Sequence, residues 1–171
     1  RAEFYFADMG AMAAGTVSVA LYTSLPFAEQ AQALRICEAR VAMVENPKAM
    51  RGLASALGDT AGVQWILLTG EAEDTLTLAG LIEKGREALA ADPAAFDRIL
   101  AGYDDRSLAV LYMTSGATGE PKMGLVTHHA LVSNIDMTPA VLPLTCDDCT
   151  VAFLPSAHIA QRVVAELMPT R

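Results

Sequence analysis

The stretch LYMTSGATGEPKMGLVTHHA, residues 111–130, starts apolar and then changes character. Between residues 113 and 124 it gathers three glycines, two threonines, a serine, a proline and a lysine. The run leading into it, SLAVLYM (107–113), is apolar and predicts a buried strand. In open α/β sheets ligands bind beyond the carboxyl ends of strands, and residues 114–122 occupy such an end. Glycines there let the backbone approach a polyphosphate. Backbone amides, with the hydroxyls of Thr114, Ser115 and Thr118, can donate hydrogen bonds to it. Lys122 adds a mobile positive charge; Lys48 and Lys84 are the other lysines of the chain. Together these features favour a phosphate loop over a plain turn. Two well-known kinds are excluded. A Walker A loop needs glycine, lysine and then a hydroxyl residue, whereas Pro121 precedes Lys122 here and Met123 follows it. The dinucleotide fingerprint fails on its glycine spacing.

Outward from this loop the pattern alternates helix and strand. Residues 2–14 carry Phe4, Phe6, Met9, Met12 and Ala13 at helical spacing, with Gly15 as the stop. TVSVALY (16–22) predicts a strand, and Pro26 opens a helix with Ala31, Leu34 and Cys37 on its apolar side. VAMVE (41–45) is the next strand; Pro47 then starts a helix that Leu57 and Gly58 end. VQWILLT (63–69) is a third strand, followed by helices near 78–90 and 93–101. After the loop come a helix from Thr127 to Asp136, a strand TVAFLP (150–155) and a helix from His158 to Leu167. Continuous apolar strands separated by helices predict an α/β fold with a parallel sheet covered on both faces.

With 171 residues, 53% hydrophobic content and mean hydropathy +0.32, the chain is rich in apolar residues for a soluble domain of its length. It starts at Arg1 and ends at AELMPTR, which with that composition reads as a piece of a larger core. Twelve basic against twenty acidic residues give a net charge of −8, which excludes a general nucleic-acid binder. No apolar run is long enough to predict a membrane-spanning helix. Cys37, Cys146 and Cys149 form an odd set with no secretory context, so reduced thiols and a cytoplasmic location are expected. The Cys146–Cys149 C-x-x-C lacks the second ligand pair a zinc site needs and reads as a surface coincidence.

The opening stretch resembles the signature loop of the adenylate-forming enzymes, approximately [YF]-T-S-G-[TS]-T-G-x-P-K-G-V-x-x-[TS]-H. The matching residues are Tyr112, Thr114, Ser115, Gly116, Thr118, Gly119, Pro121, Lys122, Thr127 and His128. Three departures stand out. Met113 is extra between the tyrosine and the threonine, Ala117 replaces a hydroxyl residue, and Met123 takes the place of a glycine that recurs as Gly124. VAFLPSAHIAQR (151–162) is similar to FLPLAHxxxR of long-chain acyl-CoA synthetases, and ADMGAMAAGTVSVALY (7–22) to their ADxGAxxAGxxxVxLY. The resemblance is weakest over 70–106 and points to the long-chain, or bubblegum-type, branch.

The resemblance implies that the chain is part of the large N-terminal domain of such an enzyme, with residues 1–171 a partial AMP-binding (adenylation) domain and the C-terminal domain absent. It implies a fatty acid–CoA ligase using ATP, Mg2+ and coenzyme A. Fatty-acid carboxylate attacks the α-phosphate of ATP to give acyl-adenylate, and coenzyme A thiol then displaces AMP. Implied phosphate-binding residues are Thr114, Ser115, Gly116, Ala117, Thr118, Gly119 and Lys122, with Thr114 also a metal contact. Implied catalytic residues are His158, by the acyl pocket, and Lys122; His128 and His129 read as the start of a helix. No Y-G-x-T-E-like segment, ribose-binding aspartate motif or C-terminal lysine domain occurs in the chain, so the 171 residues alone are expected to be inactive. A non-catalytic nucleotide- or partner-binding remnant, and an aryl or medium-chain acyl-CoA ligase, are the alternatives. A fatty-acid substrate is compatible with peripheral membrane association.

Overall fold

The computed structural model describes residues 2–59, 62–115, 121–143, 145–149 and 151–170. The fold is α/β and forms two compact units: Thr23–Gly102, and Arg1–Tyr22 together with Tyr103–Arg171. Among the described residues no helix is long and apolar enough to cross a membrane.

The Thr23–Gly102 unit follows the sequence closely. Helix α2 (Phe27–Ile36) begins after Pro26, whose fixed φ suits a helix start, and buries Ala31, Ala33 and Leu34. Strands β2 (Val41–Val44) and β3 (Gln64–Leu67) pair in parallel, and a short β4 (Leu76–Thr77) joins β3 in the same sense. Between β2 and β3 runs α3 (Pro47–Leu57), capped by the Asn46 side chain, which accepts from the Ala49 amide at 2.9 Å. Gly58 ends it at φ +78°, a conformation that costs glycine little. Arg35 of α2 donates to the carbonyls of Ala56 and Leu57 at 2.8 and 3.0 Å, satisfying orphan acceptors at the C-terminus of α3. Helices α4 (Leu78–Ala91) and α5 (Ala95–Ala101) complete the unit.

The other unit carries the motif. Helix α1 (Ala2–Ala13) ends at Gly15, φ +75°, and leads into a short β1 (Ser18–Val19). β1 pairs in parallel with β5 (Leu108–Ser115), and β5 pairs antiparallel with β6 (Pro121–Thr127). Helix α6 (His128–Met137) follows β6 directly, with Thr127 accepting from the Ala130 amide at 3.2 Å as its cap. The last helix, α7, starts α-helical at Ile159–Gln161, widens to a π-helix over Arg162–Leu167 and tightens to a 3-10 turn over Met168–Thr170. Met12, Ala109, Val110 and Leu131 form the core here, flanked by Met9, Val126, Ile159, Val163 and Leu167.

Three expectations change. The sheets are not all parallel: β6 lies in what reads as loop, and β5–β6 is a hairpin. The reason is connection length. Residues 116–120 are too few for the crossover of a dozen or more that a parallel pair needs. Residues 151–155 of the expected strand TVAFLP form none, and Val151 and Phe153 are largely exposed. An extended segment becomes a strand only by pairing, and no described strand pairs with it. On α1 the buried polar residue is Asp8, while Phe6 points outward at 73% exposure.

Candidate functional site

The β5–β6 hairpin fixes the site through its register. Thr114 stands opposite Lys122, Met113 opposite Met123, and Tyr112 opposite Gly124. Side chains alternate between faces, so Tyr112, Thr114 and Lys122 share one face of the ladder. Ser115 closes β5 opposite Pro121. The predicted loop residues Gly116, Ala117, Thr118 and Gly119 lie outside the described residues.

The register explains two of the motif's departures. Met113 and Met123 are cross-strand partners, and the glycine displaced to 124 sits where Tyr112 needs it. A Cβ built on Gly124 would run into the Tyr112 ring and lie 2.8 Å from its hydroxyl oxygen. The aromatic ring therefore folds across the neighbouring strand over a residue with no side chain. These two departures are a matched set within one ladder.

Below this hairpin a cavity of about 310 Å³ is lined by Tyr22, Tyr112, Met113, Thr114, His158 and Ile159. The size is at the lower end for a small-molecule site. Thr114 Oγ1 donates to the Lys122 carbonyl at 3.2 Å, which commits its proton and leaves its lone pairs available. His158 precedes α7 and caps it: Nδ1 accepts from the Ala160 amide at 3.2 Å, and the His158 amide donates to the Pro155 carbonyl at 2.8 Å. An accepting Nδ1 leaves the proton of neutral imidazole on Nε2, as a donor. His158 is thus both a helix cap and a cavity residue.

His128 begins α6, as expected, and its Nε2 lies 2.6 Å from Tyr103 Oη with the rings edge to face at 4.5 Å. Desolvation pushes the His128 pKa down and the Tyr103 pKa up. His129 pairs instead with Asp105 at 3.2 Å on the surface. Neither histidine lines the His158 cavity.

Among the described residues no group of three or more His, Cys, Asp or Glu side chains could hold a metal ion. The donor set at Thr114 fits magnesium only in its usual nucleotide mode, with one hydroxyl beside phosphates and water. Cys146 and Cys149 are free and exposed.

The AMP-binding enzyme family model matches residues 1–171. The chain belongs to the AMP-binding enzyme family. Among curated members, it is 29% identical over 91% of its length to the chloroplastic long-chain-fatty-acid–[acyl-carrier-protein] ligase AEE15 of Arabidopsis thaliana. It is 25% identical over 95% of its length to the long-chain-fatty-acid–CoA ligase ACSBG2 of Xenopus laevis. It spans 23% of the length of each of these relatives. Among solved structures, ATP-bound MatB from Rhodopseudomonas palustris matches with TM-score 0.70 at 20% identity, covering 98% of this chain and 31% of MatB. Apo MbtA from Mycobacterium smegmatis matches with TM-score 0.69 at 27% identity, covering 93% of this chain and 28% of MbtA. The α/β architecture of the AMP-binding enzyme is thereby shared with both.

Proposed function

We propose that this chain forms the triphosphate-binding and carboxylate-binding part of an AMP-forming long-chain fatty acid ligase. The observation that carries the reading is the pairing of Thr114 with Lys122 across the hairpin, beside a cavity that also receives His158. In the first half-reaction two anions, a carboxylate and a triphosphate, must meet. Lys122, at the hairpin end, neutralises phosphate charge. The Thr114 hydroxyl, whose proton goes to the Lys122 carbonyl, has only lone pairs left and so serves a cation accompanying the phosphates rather than the phosphates themselves. A magnesium ion bound with ATP would supply further charge neutralisation. The Nε2–H of His158 is suited to donate to the fatty-acid carboxylate and hold it for attack on the α-phosphate. Acyl-adenylate and pyrophosphate result, and a thiol then displaces AMP to give the thioester.

Coenzyme A is the thiol acceptor in this reading, as the ACSBG2 ligase's name states for that protein. A second reading, an acyl-carrier-protein thiol, is favoured by the match to AEE15. The 171 residues alone supply half of this chemistry and are proposed not to turn over. A cytoplasmic location, with peripheral contact to membranes that hold the fatty acid, accompanies the proposal.

The test is a pair of titrations of the chain followed by amide and imidazole resonances. Mg-ATP is expected to shift Thr114, Lys122 and Gly124, and a long-chain fatty acid to shift Tyr22, Tyr112 and His158. ATP shifts confined to other residues would overturn the phosphate assignment. Fatty acid leaving His158 untouched would overturn the carboxylate assignment.

A further inference from the structure

Asp8 of ADMGAMAAG and Arg162 of LPSAHIAQR carry the family resemblance with no chemistry assigned to either. The fold joins them. Arg162 Nη2 donates to Asp8 Oδ1 in a buried ion pair, with Arg162 1% and Asp8 5% exposed. The same carboxylate oxygen accepts from Ser18 Oγ of β1. One oxygen thus ties α1, β1 and α7 together.

Stability alone gives a poor account of this pair. Each buried ion loses several kcal/mol of hydration, and apolar residues of similar volume often hold helices as well or better. The surroundings relieve this cost only in part. Arg162 Nη1 and Glu166 Oε1 are buried and have no hydrogen-bond partner among the described residues. Desolvation pushes the Glu166 carboxyl up, and the Asp8 charge adds to this, while a Ser156 hydrogen bond and the Arg162 charge act against it.

What the pair does accomplish is geometric. Arg162 lies one turn beyond His158, and its amide donates to the His158 carbonyl at 3.2 Å. Its neighbour Gln161, also buried, accepts from the Leu154 amide at 3.2 Å and so holds the chain entering the turn. On the other side Ser18 pairs with Val110 of β5, the strand that carries Tyr112 and Thr114. A closed path therefore runs from His158 through Arg162, Asp8 and Ser18 to β5, and back across the cavity. Removing the ion pair opens that path at its most directional link. The π-helical widening of α7 starts at Arg162, where a departure from regular helix aims side chains that an α-helix would place elsewhere.

We infer that the Asp8–Arg162 ion pair is a positioning element for the His158 cavity, holding the imidazole in its Nδ1-accepting form opposite Thr114. Asp8 and Arg162 act through His158 and touch no substrate. The inference rests on the reading of that cavity as the carboxylate site, and its test uses no ligand.

The experiment records the imidazole nitrogen resonances of the 171-residue chain and of the double variant Asp8→Leu/Arg162→Met, which removes both charges at once. In the unmodified chain His158 is expected to show one tautomer, with Nδ1 unprotonated. In the double variant, expected to fold with unchanged helix content by circular dichroism, His158 is expected to lose that signature and average between tautomers, while His129 stays as it was. A folded double variant with an unaltered His158 would overturn the inference. So would an unfolded one, since the pair would then be a plain requirement of the fold. Failure of a fatty acid to bind would strike the proposed function and leave this result standing.

Discussion

Gly124→Ala tests the hairpin at its tightest point. The new methyl would occupy space held by the Tyr112 ring, within 2.8 Å of the hydroxyl oxygen and closer still to ring carbons. The strand backbone cannot yield without breaking rungs on both sides, so the ring must swing away. A displaced tyrosine exposes on the order of 50–100 Å² of the area it half-buries, which at roughly 25 cal/mol per Å² amounts to about 1–2.5 kcal/mol. Replacing a strand glycine returns up to about 1 kcal/mol through lost freedom of the unfolded chain. The net loss should be about 1 kcal/mol, felt locally. Native-state hydrogen exchange of β5 and β6 amides reads that quantity without assuming that both units unfold together. Gly124→Ala is expected to lower their opening free energy. In Tyr112→Ala the same added methyl is expected to be neutral or stabilising, giving a coupling of about 1 kcal/mol between the two sites. Unchanged protection in the single variant, or strict additivity in the cycle, would refute the packing argument.

The buried face of His128 predicts a pH effect. Its folded pKa lies below the ordinary value of about 6.5, so the unfolded chain binds the proton first. Stability should be fully present above that value and fall as pH drops through the folded pKa; His128→Gln should flatten this slope in urea titrations between about pH 7 and 5. Removing the Arg35 side chain should loosen α3, and Arg35→Ala is expected to cost about 1 kcal/mol by thermal melting, with the single Trp65 as probe. Cys146 and Cys149 are exposed, whereas partial burial raises the Cys37 thiol pKa. A thiol reagent at neutral pH should therefore label two cysteines quickly and Cys37 slowly, and equal rates would contradict the assigned burial.

Much of the fold was legible because local signals coincided with tertiary demands. Pro26, Pro47 and Gly58 mark helix ends to within a residue, and the apolar runs at 41–45 and 63–69 become paired strands. β6 was hidden because glycine and proline dominated its reading. The signal was present in the alternation around Met123 and Leu125, at hairpin distance from β5. TVAFLP misled for the opposite reason: strand propensity is visible in sequence, whereas a pairing partner is not. The site was read as a motif, and the register supplied what the motif could not. Tyr112 with Gly124 and Met113 with Met123 are non-local facts about a ladder. The Asp8–Arg162 pair spans 154 residues of sequence, and nothing local in helix α1 distinguishes Asp8 from a solvated acid.

The central claim is that the hairpin holds the triphosphate of ATP through Lys122, which shares a ladder face with Thr114. Its most direct measurement is calorimetric titration of the chain with Mg-ATP, comparing Lys122→Ala with Lys84→Ala, a lysine of the other unit. Lys122→Ala is predicted to weaken binding by about tenfold, the equivalent of about 1.4 kcal/mol, and Lys84→Ala to leave it unchanged. Equal affinities for all three proteins would contradict the claim.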